Sequence, residues 1–345
     1  MGRCFLIYPM PNTFVQKDIE TLKNLGVRVI TKQVKPSKNP VVFAFRQVHS
    51  FVVAFFTLPQ TNVFISWFSD YHTLIPLLLA KLWGTKSLII VGGFDAVSDP
   101  ENQYGIFYKK GLRQQVARWN YALADSIWVV DNSLREGCIP SKRNGIASGL
   151  LHWMPELNLK IEVVPTSYNS NFWRRNQQPR PKTILTVASI TSEQVIRRKG
   201  IPLFIEMAKH TPDWTFTIAG DGLGLVKNQN NLPKNVNVLG KQPAASLVDL
   251  YSQHQIYFQA SRVEGLPNVL CEAMLCECIP MGQDVFGIPT AIGHTGILFK
   301  APLKPETFHN LLDCAAVKNP VDCRRRIMEN FQDDRRKNKL KYLFL

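Results

Sequence analysis

The sequence predicts an α/β protein made of two doubly wound domains, each with a parallel sheet between helices. Three observations support this fold class. Short apolar runs, such as residues 87–91 and 256–260, alternate with segments of helical periodicity, which is the pattern of a buried parallel sheet. The chain has 345 residues, enough for two domains of ordinary size. A polar segment with two prolines, residues 171–182, separates two such alternating halves.

The composition and the net charge indicate which classes of protein and of binding partner to expect. Hydrophobic residues make up 45% of the chain and charged residues 19%, as in an ordinary enzyme core and surface. The net charge of +15 favours anionic partners: nucleic acid, lipid headgroups or phosphorylated substrates. Seven cysteines without metal-like spacing, and no secretory leader, predict a reducing cytosol. No uninterrupted run of about 20 apolar residues occurs, so we expect no membrane-spanning helix.

The stretch with the densest candidate chemistry follows the predicted strand 256–260. Gly265 and Pro267 mark a tight loop before the predicted helix 268–276, whose first backbone N–H groups could hold an anion. Glu264 lies in the loop, and Glu272 lies one turn into the helix. Two carboxylates around a helix start suit a ligand with a phosphate and several hydroxyls. The alternative is that both are solvated charges, which helix starts favour in any case.

Polar residues also follow two strands of the first half. His72 comes shortly after the strand 63–67, and Gly92 and Gly93, with Asp95 two positions on, follow the strand 87–91. Ligands of doubly wound sheets bind at the carboxyl ends of the strands, and paired glycines let a backbone approach a ligand closely. The alternative is that these residues are ordinary caps or loop residues.

The spacing Glu264-x7-Glu272, with glycine after the first glutamate, resembles the donor-sugar motif of glycosyltransferase family 4. The resemblance extends over about residues 86–300, through Gly92-Gly-Phe-Asp95, the loop Pro-Glu-x-x-Tyr104-Gly, and Lys199-Gly. It implies the GT-B fold, two Rossmann-like domains facing across a cleft. Residues 1–170 would bind the acceptor, 171–182 form the linker, 183–320 bind the nucleotide sugar, and 321–345 cross back to the first domain.

The resemblance also implies roles on the donor side. Glu264 would bond sugar hydroxyls as a catalytic residue, Glu272 would bond the ribose, and Lys199 with the amides near Asn268 would hold the diphosphate. Ser189 stands where the family has an arginine, which leaves Arg197 or Arg198 to replace it. The implied donor-binding residues are Lys199, Arg197, Arg198, Gly220, Asp221, Gly222, Lys241, Gly265, Leu266, Pro267, Asn268, Val269, Leu270 and Glu272.

On the acceptor side the resemblance is less complete. Many family members carry a histidine near the reacting carbon, but this chain has Gly92 and Gly93 at that position, with Asp95 as the second catalytic candidate. His72, Gly92, Gly93 and Tyr104 are the acceptor-side candidates. Since no Asp-x-Asp pattern is present, we expect neither a metal nor another cofactor.

The implied function is retaining transfer of a sugar from a nucleoside-diphosphate sugar to a hydroxyl of a sugar or lipid-linked acceptor, in glycan, polysaccharide or glycolipid synthesis. Catalytically weak nucleotide-sugar binding and GT-B epimerase or phosphorylase activity are the alternatives. Nucleic acid is not expected as a partner. The basic residues of 1–58, beside the aromatic-rich helix 40–56, indicate either docking of a cytoplasmic enzyme on the anionic inner face of the plasma membrane, or core packing with attraction of anionic substrates.

Overall fold

The computed structural model describes residues 2–142, 144–177 and 179–345, and these form two compact units. The first unit contains the residues up to Thr166 together with Asp334–Leu345, and the second is Ser167–Asp333. This division falls shortly before the predicted linker, 171–182. It also assigns the end of the chain to the first unit.

The first unit is organised around a six-stranded parallel sheet. The unit has eight strands in the part of the chain described, six of them in this sheet. They are β1 (Arg3–Tyr8), β2 (Arg28–Gln33), β3 (Val63–Trp67), β4 (Lys86–Val91), β5 (Val97–Ser98), β6 (Ser126–Val129), β7 (Ala147–Ser148) and β8 (Ile161–Val163). The sheet order is β2-β1-β3-β4-β6-β8, and β5 pairs with β7 in a separate antiparallel ladder. The helices are α1 (Thr13–Asn24), α2 (Pro40–Thr57), α3 (Tyr71–Leu82), α4 (Leu112–Leu123), α5 (Asn132–Arg135), α6 (Ile139–Lys142) and α7 (Leu150–Trp153). The β4 residues after Lys86 are all buried, as expected of a central strand.

The second unit repeats this plan with a different strand order. Its strands are β9 (Arg180–Ile190), β10 (Thr215–Asp221), β11 (Val236–Leu239), β12 (His254–Gln259), β13 (Ile279–Gln283) and β14 (Ile297–Phe299). They form one parallel sheet in the order β11-β10-β9-β12-β13-β14. The helices are α8 (Glu193–Arg198), α9 (Ile201–Lys209), α10 (Ala244–Gln253), α11 (Asn268–Leu275), α12 (Gly287–Ile292), α13 (Pro305–Ala316) and α14 (Pro320–Asn330). The last helix, α15 (Asp333–Tyr342), belongs to the first unit from Asp334 onward. The order reverses between β9 and β12, where doubly wound sheets bind their ligands.

The helix α2 is long and apolar. The segment Pro40–Gln60 is long and apolar enough to cross a membrane, with a mean hydropathy of 1.6, and 17% of it is buried. This finding rests on length and composition alone. The expectation of no membrane-spanning helix, which rests on the polar residues that interrupt the apolar run, therefore stays a prediction.

A buried ion pair connects the end of the chain to the first unit. Arg336 of α15 donates from Nε to Asp18 Oδ1 at 2.6 Å and from Nη2 to Asp18 Oδ2 at 2.7 Å. Trp67 donates from Nε1 to the same carboxylate at 3.0 Å, and Arg336 also donates to the carbonyl oxygens of Val164 and Pro165. The two charged side chains are only 4% and 3% exposed. The bonds within the pair are charge-assisted, and the Nη1 group of Arg336 has two backbone acceptors, so these hydrogen bonds offset the cost of burying the charges.

Arg336→Ala is expected to destabilise the first unit strongly, because it leaves the Asp18 carboxylate buried without its cation. Removing one partner of a buried pair costs about 3–5 kcal/mol of unfolding free energy. Lys339→Ala is the control, since Lys339 pairs with Glu162 at the surface of the same unit and such pairs contribute about 0–1 kcal/mol. Urea unfolding followed by tryptophan fluorescence measures both. Equal losses in the two variants would contradict the role given to Arg336.

Candidate active site

The candidate site of the second unit lies at the carboxyl ends of β9 and β12. The segment after β9 contains α8, whose last turn leads into Lys199 and Gly200. The segment after β12 contains Glu264 and leads into α11. These two segments come from neighbouring strands at the point where the strand order reverses, so their side chains can meet over one ligand.

A close backbone approach holds the two segments together. Gly200 has φ +69°, and a Cβ at this position would lie 2.2 Å from the carbonyl oxygen of Ala260. Next to this contact, the Arg262 N–H donates to the carbonyl of Arg198 at 2.9 Å. Only glycine fits both the left-handed backbone and the contact. The glycine after Lys199 is therefore required by packing, and it fixes where the lysine lies.

Lys199 and Glu264 form an ion pair that is largely buried. The lysine Nζ lies 2.5 Å from Glu264 Oε1, and the two side chains are 17% and 11% exposed. Gln259 donates from Nε2 to the same carboxylate oxygen at 3.0 Å and to the Ser261 hydroxyl at 2.7 Å. A side-chain hydrogen bond with Ser261 also lowers the pKa of this carboxylate. A charged donor and neutral donors thus orient Glu264 after β12.

Burial and charge act in opposite directions on the protonation of this pair. Burial raises the pKa of Glu264, but Lys199 and Arg198 lower it, and the net result is a pKa below the ordinary value. Burial lowers the pKa of Lys199, and the neighbouring Arg198 lowers it further, against the opposing effect of Glu264. Glu264 is thus held as an ionised acceptor, suited to hydroxyl groups rather than to proton donation.

The helix α11 begins at Asn268 beside this pair. Pro267 precedes the helix, and no side chain caps it at that position. Its first-turn N–H groups therefore point past the helix end, where an anion can accept from them. The Asn268 side-chain oxygen accepts from the Tyr168 hydroxyl at 2.9 Å. Val269 is half-buried, and Leu266, Pro267 and Leu270 are buried, so these residues frame the helix start.

The other residues predicted to bind the donor differ in burial and in their contacts. Glu272 is buried in α11. Burial raises the pKa of Tyr251 and Tyr257, and the negative charge of Glu272 raises both further, so its carboxylate lies near these two tyrosines. Gly265 packs tightly against α12, since a Cβ on Gly287 would lie 2.0 Å from its carbonyl oxygen. Arg198 is half-buried and influences the pKa of Glu264, whereas Arg197 is exposed. Of the two arginines, Arg198 is therefore the one coupled to the ion pair.

The glycine-rich loop after β10 has a clear structural role. Gly220 has φ +108°, and a Cβ there would lie 2.0 Å from the Ala188 carbonyl oxygen. The Asp221 carboxylate accepts from the backbone N–H groups of Leu225, Val226 and Lys227, each at 2.9 Å. It therefore stabilises its own loop. Gly222 and Lys241 are exposed at the same edge of the sheet. Donor contacts by these four residues stay predictions.

In the first unit, Asp95 organises the loop after β4. It is fully buried and accepts from the backbone N–H groups of Ser69 at 3.1 Å, Gly92 at 3.2 Å and Gly93 at 3.2 Å. Burial raises its pKa to about 6, against the opposing effect of these hydrogen bonds. The structure thus brings Asp95, Gly92 and Gly93 together, with the carboxyl group directed at its own loop.

The remaining acceptor-side candidates are His72 and Tyr104, and neither is among the hydrogen-bond donors to Asp95 named above. His72 is buried in the first turn of α3, with Nε2 3.1 Å from the Trp67 carbonyl oxygen, and burial lowers its pKa. The Tyr104 ring contacts the Phe94 ring edge to face, with centroids 5.4 Å apart. Roles for both in acceptor binding stay predictions.

Two further features of these sites were not predicted from the sequence. Arg113 pairs with Asp70 through Nε at 2.9 Å and stands over the Phe94 ring, although the pair is 43 residues apart. It lines a cavity of about 440 Å³, which is bordered by Lys35, Phe43, Arg46, Asp70, Tyr71 and Arg113 among others. Gln259 was not predicted to contact Glu264 either, although a polar residue at the end of an apolar strand can indicate a site.

Among the described residues no cluster of three or more His, Cys, Asp or Glu side chains could hold a metal.

Two units, each with a parallel doubly wound sheet, are the architecture of the GT-B fold. Residues 169–333 match the family model described as "Glycosyl transferases group 1". The whole chain is similar in fold to the Anabaena protein HepE in complex with UDP, with a TM-score of 0.70, 12% identity and 99% of each chain covered.

Curated relatives agree with this class. A phosphatidylinositol N-acetylglucosaminyltransferase subunit of Saccharomyces cerevisiae is 25% identical over 177 residues, 49% of this chain and 37% of the relative. The alpha-galactosylglucosyldiacylglycerol synthase of Streptococcus pneumoniae is 27% identical over 143 residues, 36% of this chain and 38% of the relative. The matches thus cover well under two thirds of these relatives. Together the findings confirm the predicted GT-B fold and support the expected transferase class.

The buried Asp95 is expected to make the stability of the first unit depend on pH. Its pKa of about 6 in the folded protein exceeds the ordinary value of 3.8, so between these values the folded state binds the proton and the unfolded state releases it. Stability from this group therefore falls as pH rises through that window, by about 1.4 kcal/mol per pH unit. Asp95→Asn removes this dependence.

Urea unfolding of parent and Asp95→Asn at pH 4, 5, 6, 7 and 8 tests this. The parent's stability minus that of the variant should decrease by about 2 kcal/mol between pH 4 and pH 6 and level off near pH 7. The plateau above pH 7 is the internal control, since Asp95 is almost fully ionised there in both the folded and the unfolded state. A difference that stays constant from pH 4 to 7 would refute the raised pKa.

Proposed function

We propose that this chain is a retaining glycosyltransferase, similar to family 4, that moves a sugar from a nucleoside-diphosphate sugar to a hydroxyl. The observation that carries the proposal is the buried Lys199–Glu264 pair beside the start of α11. A sugar bearing a diphosphate has hydroxyls for an ionised carboxylate and phosphates for a cation and backbone N–H groups. The site offers these partners together, at the edge where doubly wound sheets bind nucleotides.

Charge development explains why a lysine and a helix start belong here. When the bond between the sugar and the diphosphate breaks, negative charge builds up on the leaving phosphate. Lys199 has three donors, so its ammonium can bond a phosphate oxygen while it keeps Glu264 as a partner. The first-turn N–H groups of α11 add the positive end of the helix dipole. Fixed donors aimed at developing charge are the largest single source of rate enhancement in such sites.

Further donor contacts follow from the same geometry. Glu264 is placed to bond the sugar hydroxyls, and Glu272, one turn into α11, to bond the ribose. Arg198 supplies the second cation for the diphosphate, in place of the arginine that the family has at Ser189. The loops at Gly220–Gly222 and Lys241 lie at the same sheet edge and are assigned to the nucleotide. UDP in the complex of the structural neighbour HepE supports a uridine nucleotide as the first donor to test.

The acceptor is proposed to be a sugar or a lipid-linked hydroxyl. The relatives' names include a phosphatidylinositol and a diacylglycerol, which supports an acceptor at a membrane and a role in glycolipid, glycan or polysaccharide synthesis. The first unit would bind it near the Gly92–Gly93 loop that Asp95 organises. We place the enzyme in the cytoplasm, at the inner face of the plasma membrane.

Transfer is proposed to need no metal and no other cofactor. Lys199, Arg198 and the α11 dipole would neutralise the diphosphate instead. Transfer is therefore expected to persist in excess EDTA. Loss of transfer in EDTA that is restored by magnesium or manganese would contradict this part of the proposal while leaving the donor site in place.

A nucleotide-sugar binder without transfer is the second candidate. It is favoured by one observation: Ser189 replaces the arginine of the family, and the nearby Lys199 already shares its charge with Glu264. The two candidates make the same prediction for donor binding and differ in turnover. Release of nucleoside diphosphate that depends on an added acceptor separates them.

Glu264→Gln is expected to leave nucleoside-diphosphate binding intact and to reduce transfer. Replacing a charged acceptor by a neutral one weakens each hydroxyl bond, which costs about 1.5–3 kcal/mol, or roughly 10- to 100-fold in rate. Glu206→Gln is the matched control, because Glu206 is an exposed acid of α9 in the same unit. UDP affinity by calorimetry and transfer from a panel of UDP-sugars are the two measurements.

In the same titrations Lys199→Ala should weaken UDP itself, because the lysine is assigned to the phosphates. Lys182→Ala controls for the loss of one charge, since Lys182 pairs with Asp213 at the surface. Parental transfer by Glu264→Gln, or unchanged UDP affinity in Lys199→Ala, would contradict the assigned roles.

A further inference from the structure

The helix α2 exposes a continuous apolar surface. Phe45 and Phe56 are each 71% exposed, which is unusual for side chains of this size. They lie on one side of the helix with six other apolar residues. This side, called the outer face of α2 below, consists of Val41, Ala44, Phe45, Val48, Phe51, Val52, Phe55 and Phe56.

The opposite side of α2 packs against its own unit. Ser50 and Ala54 are buried, and the Phe43 ring contacts the Tyr71 ring of α3 edge to face at 5.3 Å. The apolar surface continues from α2 onto α3, where Leu78 and Leu82 are exposed and Trp83 contacts Phe55 at 5.1 Å. A contiguous patch of this kind marks an interaction surface, unlike single exposed apolar residues.

The topology shows how α2 could meet a bilayer. The helix connects β2 to β3, and both strands pair with β1 in one parallel sheet. A spanning helix would put its two ends on opposite sides of a hydrocarbon layer about 30 Å thick. Two strands that share a neighbour cannot be separated in that way. The helix can therefore lie along a membrane surface, but it cannot cross one while the sheet is intact.

The charge around α2 selects an anionic surface. Between Glu20 and Asp70 the sequence contains six Lys or Arg residues and no Asp or Glu. Arg46 donates to the carbonyl oxygens of Lys35 and Pro36, which holds the basic loop before α2 against the start of the helix. Lys35 and Lys38 are exposed in that loop. Apolar residues on one face with flanking lysines and arginines are the pattern of an interfacial helix.

We propose that the outer face of α2 inserts into the headgroup layer of an anionic phospholipid bilayer, with the helix parallel to the membrane plane. The inference rests on the proposed function in one respect: docking would place the protein at the membrane that contains a lipid-linked acceptor. Docking also has a consequence for the cavity of about 440 Å³ beside α2, which Phe43 and Arg46 help to line. It brings that cavity, with its basic rim, to the level of the lipid headgroups.

Sedimentation of the full chain with vesicles tests the proposal. At low salt the protein should bind vesicles of phosphatidylcholine with one quarter phosphatidylglycerol, bind pure phosphatidylcholine far more weakly, and be released at about 1 M salt, where the Debye length is about 3 Å. The double variant Phe45→Asp/Val48→Asp should bind the anionic vesicles at least about tenfold more weakly, since charge is excluded from the apolar side of an interfacial helix.

Matched controls separate the outer face from apolar exposure and from net charge. Leu159→Asp/Val317→Asp changes two exposed apolar residues elsewhere and should bind like the parent. Lys35→Glu/Lys38→Glu should lose binding to anionic vesicles, whereas Lys227→Glu/Lys234→Glu, with the same change of net charge in the second unit, should lose much less. Circular dichroism and UDP binding confirm that each variant is folded.

Three outcomes would overturn the proposal. They are no binding of the parent to anionic vesicles at low salt, parental binding by Phe45→Asp/Val48→Asp, and a parent that is dimeric by light scattering and becomes monomeric in that variant. The last result would make the outer face a contact between two copies. Because vesicle binding needs neither donor nor acceptor, its failure would leave the proposed transfer standing, and absent transfer would leave the docking result standing.

Discussion

The candidate site of the second unit depends on a contact between two backbones. The segment that follows β9 can reach the segment that follows β12 only because Gly200 lets its backbone touch the carbonyl of Ala260. That contact sets Lys199 against Glu264 and fixes the ion pair before any ligand arrives. A pair held in advance lowers the cost of ordering side chains on binding, which is how preorganised sites gain both affinity and rate. The α11 start completes the site from the same loop.

Much of the fold could be predicted from periodicity, but pairings between distant residues could not. The strand and helix around Glu264, predicted at 256–260 and 268–276, lie at His254–Gln259 and Asn268–Leu275. The Lys199–Glu264 contact joins residues 65 apart in sequence, and it exists because β9 and β12 are neighbours. Strand order is set by the packing of the whole sheet and leaves no local signature. The resemblance to a known family, rather than any spacing, is what suggested a common role for these two residues.

The aromatic residues of α2 illustrate a different limit. The sequence left core packing and a surface face as open alternatives, because a helix rich in phenylalanine suits either. Which side of the helix packs is decided by α3 and the sheet, and the structure buries Ser50 and Ala54 while it exposes Phe45 and Phe56. The roles of Asp95 and Asp221 were equally open in the sequence. Both looked like ligand-binding carboxylates at strand ends, yet each accepts hydrogen bonds from three backbone N–H groups of loop residues. A glycine-rich loop needs such an acceptor whether or not it also binds a ligand.

The ion pair between Asp18 and Arg336 also bears on the order in which the protein is made. Its partners are 318 residues apart, so Asp18 leaves the ribosome long before Arg336 is synthesised. At the usual rate of about 5–20 residues per second, the first unit waits some tens of seconds for the cation that its buried carboxylate needs. Meanwhile the second unit, which is continuous in sequence, emerges whole and can fold first. Until Arg336 has emerged, the Asp18 carboxylate lacks its cation, so the first unit cannot bury this acid in its final hydrogen-bonded form.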